Sequence, residues 1–200
     1  MKTNNFIPLC FLLVISLLVS CNENEPDIDQ TVRASAQLTS IHSDTDSTYI
    51  SSDQPYGTVQ LSQTDSIVLI EIFLENFNPN TIHSVHIHSG TCEKPGMHWN
   101  MGHGMETLFC NERSLGIPWA KPRAGDVGNV SVGYDGSGYF SLRTDLWKLG
   151  STDEQDILGS IIVVHDKLDD FEMECNPNHS HNHTHTNPKV ACGSIVLIEE

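Results

Sequence analysis

The sequence has few basic residues. Lysine and arginine together number 10, against 26 aspartates and glutamates, and the formal net charge is −16. Because binding to a phosphate backbone requires clustered cations, we expect no nucleic-acid partner. Small anionic substrates remain compatible with this charge, since a local positive patch attracts them despite the overall sign.

The sequence also lacks an apolar run of the length typical of a membrane span. Its longest, residues 6–20, follows Lys2 at the amino terminus and reads FIPLCFLLVISLLVS. Such a short, amino-terminal run is typical of a secretory signal. It ends in LVSC, which resembles the bacterial lipobox, where cleavage leaves a lipid-bearing cysteine. We therefore expect residues 1–20 to be a lipoprotein signal peptide and Cys21 to carry a membrane anchor; an ordinary signal with an incidental cysteine is the alternative.

A lipid at Cys21 would place the chain in the bacterial cell envelope, on the periplasmic face or the cell surface. Residues 21–30 are acidic, with almost no large apolar side chains, and are typical of a flexible tether. Losing Lys2 with the signal would take the net charge from −16 to −17. Residues 31–200 are enough for one domain with its own core.

No stretch of that domain has a convincing helical period. β-Branched and aromatic residues instead recur in short or alternating runs, and YDGSGY separates two of them as a hairpin turn would. These patterns predict an all-β sandwich or barrel of about eight antiparallel strands. Residues 89–124 and 166–188 have no regular pattern. Loops of that length in a compact domain are usually functional.

Six cysteines are present. Cys10 belongs to the signal and Cys21 to the anchor, so Cys92, Cys110, Cys175 and Cys192 remain. Four cysteines in an exported protein indicate two disulfide bonds, for which three connectivities exist.

The segment HSVHIHSGTCEKPGMHWN at residues 83–100 concentrates histidine. Side chains two apart on a strand share a face, so His86 and His88 project together while Ile87 faces the core. Two imidazoles on one strand, joined by His98 and by His165 at the end of IIVVH, would suit copper or zinc.

Five motifs occur in order: VHIHSG, then Cys92 and His98 with five residues between them, GDVGNV, GSIIVVHDKLDD and ACGSIVLI. Together they resemble the copper/zinc superoxide dismutases. The resemblance implies a Greek-key barrel, copper as cofactor and superoxide as substrate. It implies four copper ligands, with His98 as the histidine that bridges copper and zinc, an intrasubunit disulfide, and Asp169 as the carboxylate that orients a copper histidine. The ligands would be His86, His88, His98 and His165, and the disulfide Cys92–Cys192.

Cys110 and Cys175 are then left as a second pair, which would tie the two long loops together; two free thiols are the alternative. The zinc site is incomplete. Asp126 matches its aspartate, but Arg123 and the Ser114–Leu115 region stand where the family has histidines. His103 is a substitute to consider beside His98 and Asp126. A copper-only centre fits better, with zinc doubtful and Arg123 placed to form a salt bridge with Asp126.

Lys189 stands where the family has the arginine that guides superoxide. It keeps the charge but loses the bidentate fork. The segment NHSHNHTHTN adds four alternating histidines, which suit low-selectivity metal binding or a solvated loop. They are His179, His181, His183 and His185.

We expect a copper-dependent superoxide dismutase outside the cytoplasm. A non-enzymatic copper- or zinc-binding lipoprotein on the same scaffold is the alternative, a structural domain with a vestigial site is weaker, and a homodimer is compatible with the sequence.

Overall fold

The computed structural model describes residues 31–43, 48–110, 113–114, 117–118, 122–176 and 187–199. Within them the chain forms twelve strands and one short helix, α1. The strands are β1 (Val32–Ser43), β2 (Tyr49–Thr64), β3 (Ile67–Leu74), β4 (Ile82–Gly90), β5 (Pro95–His98), β6 (Arg113–Ser114), β7 (Ile117–Pro118), β8 (Asp126–Ser131), β9 (Gly138–Thr144), β10 (Ile161–His165), β11 (Lys189–Ser194) and β12 (Val196–Leu197), and α1 is Phe171–Glu174.

One antiparallel sheet of ten strands makes the body of the domain. Its order is β5-β4-β10-β11-β1-β2-β3-β9, with β8 also paired to β4 and β12 to β1, while β6 and β7 pair separately. The turn from β8 to β9, with an isolated bridge between Val132 and Gly138, joins the two ends of the order. The sheet thus curls into the Greek-key barrel expected from the sequence, and the all-β prediction is confirmed.

The alternation of side chains explains the barrel interior. Every second residue of β3 is buried, as is Ile87 between the two histidines of β4. Together with residues of the neighbouring strands they form one apolar core. Burying each such aliphatic side chain contributes about 1.5–3 kcal/mol, so the strand that carries the paired histidines is held rigidly from its core side.

The YDGSGY turn forms, and the hairpin that it closes is one antiparallel bridge long, between Val132 and Gly138. Gly133 N–H donates to Ser137 O at 2.7 Å, as the turn requires. Beyond it, β8 pairs with β4 and β9 with β3. A hairpin pattern specifies the turn and the alternation, but the tertiary pairing separates these strands. The first half of β2 was not predicted, because residues 49–55 are mostly polar and include Pro55.

The two long loops contain some regular structure. The first holds β5, β6 and β7, and the second holds α1, which begins after its N-cap Asp170. Strands of two to four residues and a helix of four are too short for a periodic signal. Within the described residues no helix is long and apolar enough to cross a membrane.

Both disulfide bonds are present, with the pairing that the resemblance implied. Cys92–Cys192 joins the loop after β4 to β11, and Cys110–Cys175 joins the first long loop to the end of α1. The two loops flanking the histidines are therefore fixed covalently, one to the barrel and the other to its neighbour.

Candidate metal centre

Strand β4 provides the first two histidines of the site. His86 and His88 lie on the face opposite Ile87 and are only 1% and 2% exposed. The neighbouring strands supply the others: His98 ends β5 and is paired with His88, while β10 runs along β4 with Val163 opposite His86 and ends at His165. Three adjacent strands therefore direct four imidazoles to one place.

The four histidines form a compact, buried group. One ring nitrogen of each lies within 4.8 Å of those of the others, and no other such group of three or more His, Cys, Asp or Glu occurs in the described part of the chain. His88 Nε2 and His165 Nε2 are 3.4 Å apart. The rings of His86 and His98 are 4.1 Å apart between centroids.

An oxygen atom lies against the outward nitrogen of each ring. Nδ1 of His88 donates to Gly96 O at 2.9 Å, and Nδ1 of His165 donates to Asn187 O at 2.9 Å. Two carboxylates hold the remaining rings: Asp126 Oδ1 is 2.8 Å from His98 Nδ1, and Asp169 Oδ2 is 2.8 Å from His86 Nε2.

These oxygens determine the tautomers. A carbonyl or carboxylate oxygen only accepts, so the nitrogen that it faces must carry the proton. In His88, His98 and His165 the nitrogen left without a proton is therefore Nε2, whereas in His86 the Asp169 carboxylate lies beside Nε2 as a close contact. Four imidazoles that converge in this way are a donor set that copper or zinc binds, and the oxygens behind them are the partners that orient metal-ligating histidines.

Burial keeps His88 neutral. Desolvation, followed by the nearby His98, holds the pKa of His88 well below its ordinary value of 6.5, although the bond to Gly96 opposes this shift. Its lone pair is therefore available for a metal at neutral pH, without competition from a proton.

Asp126 is fully buried behind His98. Its Oδ1 accepts from His98, and its Oδ2 accepts from the main-chain N–H of Arg123 at 2.8 Å. Asp126 thus contacts the main chain of Arg123, and the arginine Nε donates to Met105 O at 3.2 Å. The neighbouring Gly125 lets the main chain pass close to strand β4 and to Trp99, since a Cβ there would lie 2.5 Å from Trp99 O and 2.7 Å from Ile87 O.

His103 is not part of the group. It is exposed, and its ring contacts Phe109 with the centroids 5.9 Å apart. Of the residues suggested for a residual zinc site, the structure therefore brings together His98 and Asp126 but leaves His103 apart. The His98–Asp126 hydrogen bond also places a proton on the nitrogen that a second metal would need.

Lys189 lies beside the group at the start of β11, opposite His165 in the ladder. Its Nζ is 5.7 Å from the centroid of the Tyr49 ring, and its charge contributes to lowering the pKa of His88. Partial burial lowers the pKa of the Lys189 ammonium itself. The structure thus places a cation near the histidines, as the sequence predicted for an anion-guiding residue.

His83 also contacts the site, although no sequence motif had predicted it. Its Nδ1 donates to His165 O at 2.8 Å, and its Nε2 is 2.8 Å from Thr81 Oγ1. The signal was available: His83 is in phase with Val85 and Ile87 on the core face of β4, where a polar side chain requires a specific partner. It supports the strand end that carries His165.

Several predicted residues lie outside the described part of the chain. They are the lipidation candidate Cys21 and the accessory histidines His179, His181, His183 and His185. Their assignments stay predictions.

Comparison with known proteins agrees with this geometry. The family profile described as copper/zinc superoxide dismutase matches residues 55–195. A superoxide dismutase-like protein from Bacillus subtilis has a similar solved structure, with a TM-score of 0.55 and 22% identity over 81% of this chain and 97% of the other. The clock protein EA4 is similar at a TM-score of 0.57 and 24% identity, over 83% and 94%. None of the curated proteins matches the chain.

Proposed function

Because the chain belongs to the copper/zinc superoxide dismutase family, we propose that it is a copper-dependent superoxide dismutase acting outside the cytoplasm. The observation that carries this proposal is the buried group of four histidines, each with its outward nitrogen held by an oxygen atom. A scaffold does not by itself fix an activity, as the clock protein among the similar structures illustrates. The proposal therefore depends on the site.

The residues that would hold copper are the four histidines. When bound, copper would supply one-electron redox chemistry, by which two superoxide ions and two protons become oxygen and hydrogen peroxide. Lys189 would attract the superoxide anion to the site. Asp126 and Asp169 would keep the His98 and His86 rings in place through their outward nitrogens. The four histidines that would bind copper are His86, His88, His98 and His165.

We propose a copper-only centre because the His98 ring is already anchored without a second metal. Its Nδ1 proton lies on Asp126, at the position where a bridging histidine would need a lone pair. That arrangement holds His98 through the whole reaction, and proton delivery to the product would then rest on water.

The test is to load residues 31–200 with copper alone and to measure metal content and superoxide turnover in one preparation. We expect one tightly held copper per chain, turnover that zinc does not raise, and loss of both in His165→Ala. A strict requirement for zinc would overturn the copper-only assignment. One tightly bound copper without turnover would overturn the proposed dismutase activity.

Lysine at position 189 predicts slower and more salt-sensitive turnover than arginine would give. Arginine offers a planar pair of donors to a small anion, whereas a single ammonium holds it less firmly, and salt screens the long-range attraction. Lys189→Arg should therefore be faster than the parent at high ionic strength. In Lys189→Met, which removes the charge, superoxide turnover should fall about 10-fold and most of its salt dependence should disappear. Equal rates for Lys189→Arg and parent across all ionic strengths would contradict this role.

A non-enzymatic metal-binding protein is the second candidate. The incomplete set of zinc ligands and the four histidines between residues 179 and 185 favour it. The same preparation separates the two functions, since a binding protein would hold several loosely bound metal ions without turnover. Removing the histidine run should then abolish most of that binding.

We further propose that Cys21 carries lipid and anchors the domain to a membrane of the bacterial envelope. The lipobox-like LVSC supports this, and two disulfide bonds suit an oxidising compartment. Cys21→Ser should move the protein from the membrane fraction to the soluble fraction after cell disruption. An unchanged distribution would show that another element holds it.

A further inference from the structure

Asn187 lies two residues before β11 and is connected to two of the four histidines, one directly and one through a carboxylate. Its carbonyl oxygen accepts from His165 Nδ1 at 2.9 Å. Its side-chain Nδ2 donates to Asp169 Oδ1 at 3.1 Å, and the other oxygen of that carboxylate is 2.8 Å from His86 Nε2. One residue therefore reaches His165 through its main chain and His86 through Asp169.

The side chain of Asn187 is itself fixed. Lys167 N–H donates to its Oδ1 at 3.0 Å, and its Nδ2 donates to Lys167 O at 2.8 Å, with Ser84 Oγ at 3.2 Å. An amide with both ends bound to main chain has one orientation, and its two N–H groups are shared among Lys167 O, Ser84 Oγ and Asp169 Oδ1. The residue thus joins the segment after β10, the start of β11 and strand β4.

We propose that Asn187 is a positioning residue that ties the supports of His86 and His165 into one unit. Its amide would hold Asp169 so that the carboxylate keeps His86 Nδ1 directed at the metal, while its carbonyl does the same for His165 Nε2. No sequence motif marks it, since it stands between the histidine run and Lys189. The inference rests on the proposed metal site and is independent of turnover.

The matched control is Gln63, an amide far from the histidines that also binds main chain. Its Oε1 accepts from Leu149 N at 2.7 Å, and its Nε2 donates to Asp65 O at 2.8 Å. Gln63→Ala should lower the thermal stability of the metal-free protein without changing copper affinity. It thus measures what the loss of a loop-fixing amide does by itself.

The experiment measures the copper dissociation constant against a chelator, together with the Cu(II) electron paramagnetic resonance spectrum. Loss of a partner behind a ligand histidine typically weakens metal binding about 10- to 100-fold, so Asn187→Ala should weaken copper about 10-fold and shift the spectrum. Asn187→Ser provides a second small side chain should the alanine variant fold poorly. Both readouts are valid even if the protein has no superoxide turnover.

A double-mutant cycle identifies the route. If Asn187 acts through Asp169, then Asn187→Ala should weaken copper binding less than about 2-fold when Asp169→Asn is already present. Additive losses would overturn the proposal, because they would show that the two residues act independently. An unchanged spectrum in Asn187→Ala, or the same loss of affinity in Gln63→Ala, would also overturn it.

Discussion

Replacing His88 with alanine will remove copper binding at the four-histidine group, and superoxide turnover with it. His88 is buried and neutral, and its Nε2 lies 3.4 Å from that of His165, so it belongs to the donor set. Loss of a partner behind a ligand costs about 10- to 100-fold in affinity, and loss of the ligand itself should exceed that range. Copper competition titration and superoxide turnover measure the two effects.

His103→Ala is the matched control for His88→Ala. It removes an imidazole from the same region of the chain, but one that is exposed and lies outside the group. Copper content and turnover should stay at the parent level, with zinc content also unchanged. Loss of zinc or of turnover in His103→Ala would mean that this histidine closes onto the site. Unfolding of both metal-free variants shows whether either effect is merely structural.

Removing the Cys92–Cys192 disulfide by a double change to serine will destabilise the domain by about 4–5 kcal/mol, the chain-entropy value for a loop of about 100 residues. The two cysteines are 100 residues apart. Cys192 is also packed against Ile41, Ile161 and Val163, so a serine there buries a polar group in an apolar cluster. For a domain of this size the midpoint should fall by about 10–20 °C, which thermal unfolding of the metal-free protein measures.

The Cys110–Cys175 pair gives the comparison. Its separation is 65 residues, so the entropic loss should be about 4 kcal/mol, without the added cost in the apolar cluster. Serine at both positions should therefore destabilise less than serine at 92 and 192. Its larger effect should be on copper, because the bond fixes α1, and Phe171 of that helix lies 6.0 Å from His86 between ring centroids. Equal stability losses would show that packing around Cys192 contributes little.

Much of the site could be predicted because it lies on strands. The alternation of side chains on β4 was enough to place His86 and His88 together with Ile87 behind them, and the family motifs identified His98, His165, Asp126 and Asp169. The hairpin at YDGSGY extends over a single bridge only, since turn chemistry is local and strand partners are not. The observed contact between Arg123 and Asp126 uses the main-chain N–H of Arg123, because charge adjacency in sequence does not tell which group of a residue faces a carboxylate.

The sequence by itself determined the all-β class, the histidine-rich strand, the acidic surface and the four cysteines of the domain. Period-two alternation, charge and residue chemistry are properties of short segments, and they need no knowledge of the rest of the chain. Only the tertiary structure decided which oxygen lies behind each imidazole, that His83 supports His165, and that Asn187 links two supports. Those contacts join residues as far as 83 positions apart, and their geometry depends on how the loops pack against the barrel.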